Sequence, residues 1–527
     1  MKRTNILWIT VLALGWLFDF LFWGHAPGIN FAIYVVLCLA GGVLVLIANG
    51  FKTSWKVLVL LIPILFFAVM TFIRQEPMST FLSFAFTLGL MGLVAVTYLG
   101  GRWFWYSLSD YVLNALKLAA SMITRPLMFL VEGRKGAAME DPTGTKPGSK
   151  RLWALLRGVL IAIPIVAIFA ALLSSADLVF ARNVQDFVKL FRLENLPQYI
   201  FRCIYILIGA YALAGVFLHA ARKSQDEKLV GFDKPLLAPF LGFTEAAVVL
   251  GAVVVLFALF AVVQFRYFFG GQTNIGIQGY TYAEYARQGF SELVAVAFFS
   301  LLLFLGLSGI VKRRDATQRW VFSGLGLGMV ALVGVMLFSA FQRLVLYEAA
   351  YGFSRIRMYT HIFMIWLGVL LVVVVVLDIL HRERTFALVI LLASIGFAAS
   401  LALINVDGFI VRQNVARAPD GKGLDVAYLA SLSTDSVPAL VAAFQDQSLP
   451  GLTRDAVGAA LVCHEQQSSS GGDNNWRSFM LSNWRADQAL KQIQNRLDQY
   501  RVVNKDWPIS ILTPGNVDYD CQQSGGM

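Results

Sequence analysis

Charge is what this sequence has little of. Only 14% of its 527 residues are Asp, Glu, Lys or Arg, whereas a water-soluble domain carries about 25% to cover its core. A chain so poor in charge cannot coat three or four soluble domains. Cysteine is scarce too, at four residues, which excludes a disulfide-dense secreted scaffold. The five histidines, 25, 219, 361, 381 and 464, have no metal-ligand spacing, so neither a metal nor a cofactor is implied. P-loop, HExxH, GxSxG and CxxC patterns are all missing, and with them the usual sequence signs of an enzyme.

What is present is apolar. Hydrophobic residues make up 58% of the chain and its mean hydropathy is +0.67. A hydrocarbon layer of about 30 Å takes roughly 20 apolar residues of helix. Eleven such runs occur, near 5–23, 28–49, 55–73, 80–99, 153–174, 197–220, 240–265, 290–310, 319–340, 361–380 and 385–404. The pattern predicts an all-α, polytopic membrane protein with about 11 transmembrane helices. The first run is too long for a secretory signal and lacks a small-residue cleavage site, so it reads as an uncleaved anchor.

Lys and Arg set the predicted orientation. With the N-terminus inside, the cytoplasmic segments hold 23 of them and the opposite loops 10. Residues 405–527 then fall outside. That tail carries 10 basic and 13 acidic residues, a net of −3, so of the chain's net +11 the membrane part carries +14. There it suits anionic lipid headgroups, and nucleic acid is not an expected partner.

Four segments follow: a four-span bundle over 1–99, a cytoplasmic stretch over 100–152, a seven-span bundle over 153–404, and a C-terminal domain over 405–527. Trp105, Leu108, Val112, Leu116, Ala119, Ile123, Leu127 and Leu130 have the spacing of an amphipathic surface helix, bent at Pro126. Glu132 to Lys150 reads as a flexible linker. No repeat relates the two bundles. In the tail, Tyr428–Leu432 and Val437–Phe444 read as short helices, with the break near Ser433 or Thr434. Thr453 reads as the cap of a third helix reaching about Gln466, and Ser482 as the cap of a longer one. The exported domain is expected to be small and mainly helical.

Ionisable groups inside a membrane are costly and mark function. Asp19 and Glu245 lie about one turn from span ends. Asp378 is expected to reach water beside His381 and Arg382. No span carries a charge near its midpoint, which argues against a carrier. Polar residues gather instead at the outer boundary of spans seven to ten. Gln264, Arg266 and Tyr267 end one span, and Thr281-Tyr282-Ala283-Glu284 has capping-box spacing ahead of Arg287. Arg343, Glu348, Tyr351, Arg355, Arg357 and His361 are expected in or beside the next outer loop. Two readings fit. These residues either anchor helix ends at the headgroup layer, or line an outward pocket for a phosphate, carboxylate or lipid headgroup. Convergence of Arg266, Glu284, Arg287, Arg343, Glu348 and Arg355 on one cavity is the sharper expectation. Gly324 and Gly328 form a GxxxG, read as close helix packing.

Leu21 to Gly28, Gln264-Phe265-Arg266-Tyr267-Phe268-Phe269-Gly270-Gly271, Gly279 to Arg287, Tyr347 to Gly352, Arg355 to His361, Asp407 to Asn414 and Asp425 to Leu429 stand out as strings. Together they resemble a bacterial multi-pass family catalogued as domain of unknown function 4173, with its relative 4153. The resemblance implies a bacterial cytoplasmic membrane and no catalytic residue. The favoured function is a non-enzymatic sensor, regulator or assembly factor, binding an anionic ligand or lipid through the outer cluster and a protein partner through the exported domain. A transferase or ligase acting on lipid-linked substrates, with Glu284, Glu348 or Asp19 as base, is the alternative, and a transporter the third. Cys38 and Cys203 fall in spans. Cys463 and Cys521 fall in the tail and are expected to bond to each other.

Overall fold

The computed structural model describes residues 3–140, 196–224, 239–269, 290–313, 315–382, 385–418, 424–468, 475–504 and 509–522, with isolated residues between 158 and 180. The protein is all-α and polytopic. Ten helices among the described residues are long and apolar enough to cross a membrane. The run near 153–174 lies mostly outside the described residues. The chain forms two compact units, one of residues 1–23, 41–50 and 117–222, the other of residues 24–40, 51–116 and 223–527.

The first unit contains α1 (Thr4–Phe22), the end of α2 (Ile29–Ala48), part of α6 (Leu108–Glu140) and most of α7 (Leu196–Lys223). Its helices approach closely where side chains are absent. A Cβ on Gly15 would meet the Ile206 carbonyl at 2.8 Å, and one on Gly215 would meet the Met122 carbonyl at 2.8 Å. Pro126, inside α6, has no N–H to give that Met122 carbonyl. The Tyr211 hydroxyl donates to the neighbouring Ile123 carbonyl. Asp19 is buried and pairs with Arg202, whose Nε donates at 2.9 Å. Arg202 also lies 5.1 Å over the Trp23 ring. Helix runs on from Glu132 to Glu140, where a flexible linker was expected, and the rest of that stretch, 141–150, lies outside the described residues.

In the second unit the third span breaks into α3 (Trp55–Leu58) and α4 (Leu61–Ile73). Pro63 sits in the first turn of α4, where a missing N–H costs nothing. Next come α5 (Pro77–Thr97), α8 (Phe243–Phe269), α9 (Phe290–Ile310), α10 (Ala316–Tyr351), α11 (Arg355–Ile379) and α12 (Phe386–Ile404). Leu250, Phe304, Phe322, Met329, Val333, Leu344 and Leu371 form a common core among α8 to α11. Gly326, rather than Gly324 or Gly328, makes the close contact, against the Phe304 ring. Asp378 is buried, not water-exposed, because Arg313 and Ser323 both donate to its carboxylate. Glu245 accepts from the Gly242 N–H at 2.9 Å, tying the start of α8.

α10 is a single helix of 36 residues. Tyr347, Glu348 and Tyr351 therefore stand on its last turns and not in a loop.

Beyond Ile404 lie α13 (Val406–Arg417), α14 (Val426–Ala430), α15 (Val437–Gln445), α16 (Gly451–Ser468), α17 (Leu481–Lys491) and α18 (Gln494–Leu497). Three short strands follow: β1 (Arg501–Asn504), β2 (Ser510–Leu512) and β3 (Asp518–Asp520). They pair antiparallel in chain order, with Val502 opposite Ile511 and Ile511 opposite Tyr519. Thr453 is inside α16 and donates to the Ala418 carbonyl, so it is no cap. Ser482 is likewise inside α17, and the longer helix expected there breaks between Lys491 and Gln494. Cys463 and Cys521 are joined by a disulfide, with Cα atoms 5.3 Å apart. Ile410, Leu429, Leu440, Val457, Leu461 and Ile511 share one core with Met358, Ile362 and Leu401 of the apolar helices.

Candidate functional site

The C-terminal end of α10 leaves its last carbonyls without helical partners. Two arginines meet them. Arg417 Nη1 donates to the carbonyls of Ala349 (3.0 Å) and Ala350 (3.3 Å). Arg357 Nη1 donates to Tyr351 (3.4 Å) and to Gly352, and its guanidinium lies 4.2 Å over the Tyr347 ring. Gly352 ends the helix at φ +80°, ψ 174°, a conformation restricted to glycine. A Cβ there would also meet Arg417 Nη2 at 2.7 Å and Asn414 Oδ1 at 2.8 Å. Asn414 holds the following residue at both backbone groups. It accepts from the Phe353 N–H at 2.7 Å and donates to the Phe353 carbonyl at 3.0 Å.

These contacts shape a pocket of about 270 Å³. Tyr351, Ser354, Arg357, Asn414, Arg417, Asp425 and Tyr428 supply its polar wall, with Phe353, Leu424 and Leu429 beside them. Burial pushes the Tyr428 hydroxyl above its ordinary pKa, and the N–H of Arg355 donating to it at 2.9 Å partly offsets that. Two guanidiniums face one carboxylate here, and hydroxyl and amide groups can complete an anion's hydrogen bonds. A phosphate or carboxylate group fits this volume and chemistry.

Of the residues singled out in the sequence, Tyr351 and Arg357 line this pocket. Arg343 instead donates from Nη2 to Gln264 Oε1 at 3.1 Å, which also accepts from Ser339 at 3.0 Å. Glu348 and His361 are buried and pair with each other, Oε2 to Nε2 at 2.9 Å, beside the Phe341 ring. Arg355 makes a bidentate pair with Asp407, at 2.8 and 2.6 Å. Arg343, Glu348 and Arg355 thus take separate partners rather than meeting in one cavity. The side chains of Arg266 and Tyr267, and residues Glu284 and Arg287, lie outside the described residues.

A family model for DUF4153, a domain of unknown function, matches residues 61–443. The chain belongs to the DUF4153 family. This is the number given above as a relative of the resembled 4173. The DUF4153 match runs from the first residue of α4 into α15, so it contains the whole pocket and excludes α16, the disulfide and the strands. No curated protein and no solved structure matches the chain.

Within the DUF4153 region, sequence reasoning passed over a second polar assembly built on three buried carboxylates. Glu76 caps α5, accepting from the N–H groups of Met78 (2.9 Å) and Ser79 (2.7 Å), and the Tyr359 hydroxyl donates to it. Asp435 accepts from the N–H groups of Gln75 (2.6 Å) and Glu76 (3.0 Å) and lies 3.8 Å from Arg74. Asp407 accepts from the Ser433 N–H at 2.8 Å and hydroxyl at 2.6 Å as well as from Arg355. Burial pushes the Asp435 carboxyl above its usual range, opposed by the Gln75 N–H and Arg74. A signal was available. Glu76-Pro77-Met78-Ser79 reads as an N-cap followed by proline at the first helical position.

Proposed function

We propose that this multi-pass membrane protein is a non-enzymatic receptor or regulator whose ligand is a small anionic group bound in the Arg357–Arg417 pocket. The observation that carries the reading is the position of that pocket. Its walls come both from the junction of α10 and α11 and from α13 and α14 of the C-terminal domain. A bound phosphate or carboxylate touches membrane helices and domain together, so its free energy is available to change their packing. Charge alternation assigns this end of the bundle to the outside, where the ligand would be an extracytoplasmic anion or a headgroup of the outer leaflet. The transferase reading has less support, because Glu348 is buried against His361 and lines neither described cavity.

The test is thermal stability of the full-length protein in phosphatidylcholine nanodiscs, with inorganic phosphate or succinate replacing chloride. A rise in melting temperature that disappears in Arg357→Gln, and in the milder Tyr351→Phe/Ser354→Ala, supports the proposal. A rise that is equal in wild type and both variants sinks it, as does no rise at all.

A further inference from the structure

A larger cavity, of about 930 Å³, lies at the other end of α10 and α11. It is independent of the Arg357–Arg417 pocket, since Arg319 and Tyr351 stand roughly 50 Å apart along α10 at 1.5 Å per residue. Its wall is basic. Lys312, Arg313, Arg319, His381 and Arg382 line it, with Trp105. Arg313 is fixed in place. Its guanidinium donates to Asp378 at 3.0 Å, to the Ser308 carbonyl at 3.0 Å and to the Ser308 hydroxyl at 3.2 Å, and lies 4.6 Å over the Phe322 ring.

Asp378 is thereby neutralised inside the bundle. Among the described residues no carboxylate pairs with Lys312, Arg319 or Arg382. His381 takes a left-handed backbone (φ 55°) that ends α11 and brings Arg382 to the wall. The first turn of α10 and the residue before α12 border the same space, through Arg319 and Thr385. Both helix N-termini carry partial positive charge. Four cations, one of them held by Asp378, surround a volume typical of a small-molecule site, and among the described residues no carboxylate lines it.

We propose that this cavity binds a phosphate-bearing anion, either the headgroup of an anionic phospholipid or a soluble phosphate compound. Phosphate oxygens can accept from several cations and helix N–H groups at once, and the Trp105 ring gives an acyl glycerol or organic moiety an amphipathic edge to lie on. The claim holds whichever side of the membrane this end faces, because phosphate headgroups border both.

Full-length wild type and Lys312→Gln/Arg319→Gln/Arg382→Gln would be compared in nanodiscs of phosphatidylcholine with and without phosphatidylglycerol. Native mass spectrometry counts retained phosphatidylglycerol, and calorimetry measures inorganic pyrophosphate binding. Retention that falls at least about tenfold in the variant identifies a lipid site. Pyrophosphate binding that falls by as much identifies a soluble ligand. Should the triple variant fail to assemble, Lys312→Gln and Arg382→Gln alone serve, each expected to weaken binding about threefold. The same comparison in an Arg357→Gln background removes any contribution from the other pocket, and the fall is expected to persist there. Equal phosphatidylglycerol retention in wild type and variants, with no pyrophosphate binding by wild type, overturns the proposal.

Discussion

Gly352 concentrates two constraints in one residue, a backbone conformation that side chains avoid and a wall made by Arg417 and Asn414. Gly352→Ala is expected to lower stability by about 2 kcal/mol, read as a fall in melting temperature in detergent, and to distort the pocket more than any lining substitution. A variant as stable as wild type would show that the turn can rearrange. Asp407→Ala should cost more, about 3–5 kcal/mol, because Arg355 is then left largely buried without its carboxylate. His464 reports pH. Burial holds its imidazole below the ordinary value of 6.5, opposed by the ring's hydrogen bond to the Leu432 backbone carbonyl. The folded state therefore prefers the neutral ring. The stability this gives is complete above about pH 6.5 and is lost as pH falls toward the depressed value. Melting temperatures from pH 7.5 to pH 5 should decline less steeply in His464→Gln, provided the variant folds. Parallel slopes would assign the decline to other groups.

Among the elements, the apolar helices were legible because a hydropathy run measures the one property that defines them. Their ends were less so, for the same reason. α10 continues for three turns past the apolar run because Arg343, Glu348 and Tyr351 are polar residues in good helix, and hydropathy registers depth and not backbone conformation. α13 escaped notice because Asp407, Arg412, Asn414 and Arg417 hide a buried face formed by Val406, Ile410, Val411 and Val415. The strands are only three or four residues long, too short for alternation to stand out. In the site, Tyr351 and Arg357 were legible as types at one depth. Arg417 and Asn414 were not linked to them, since folding alone brings α13 to the end of α10. The strands also predict how the disulfide acts. A bond across 58 positions stabilises by about 4 kcal/mol in the chain-entropy model. Cys463→Ser/Cys521→Ser should expose residues 509–522 to protease before α13 to α16 are cut. Simultaneous loss of both would mean that the strands and helices unfold as one.

At the scale of the molecule, the helices and strands beyond Ile404 are wired into ends of the apolar helices rather than appended to them. The N–H groups of Gln75 and Glu76 donate to Asp435, Arg355 at the start of α11 pairs with Asp407, and the Phe479 carbonyl accepts from the Ile29 N–H at 3.0 Å. Truncation after Ile404 removes both Asp407 and Asp435 and uncovers Met358, Ile362 and Leu401. The truncated chain is expected to be lost from membranes, measured as steady-state abundance against a truncation after Ser468. Equal abundance would show that the apolar helices form a stable body without the domain.

The bond from Gln75 to Asp435 spans 360 positions of chain, and that separation is also an interval of time. At about 5–20 residues per second, a ribosome needs roughly 20–70 s to travel between them. Throughout that interval α4 and α5 are already made, while Arg74 and the N–H groups of Gln75 and Glu76 wait for a carboxylate not yet synthesised. The nascent protein must therefore sit in the membrane with this corner open, solvated or guarded by another factor. A pulse-chase experiment should find the 74–77 turn accessible to protease until synthesis has passed residue 435, and protected only afterwards.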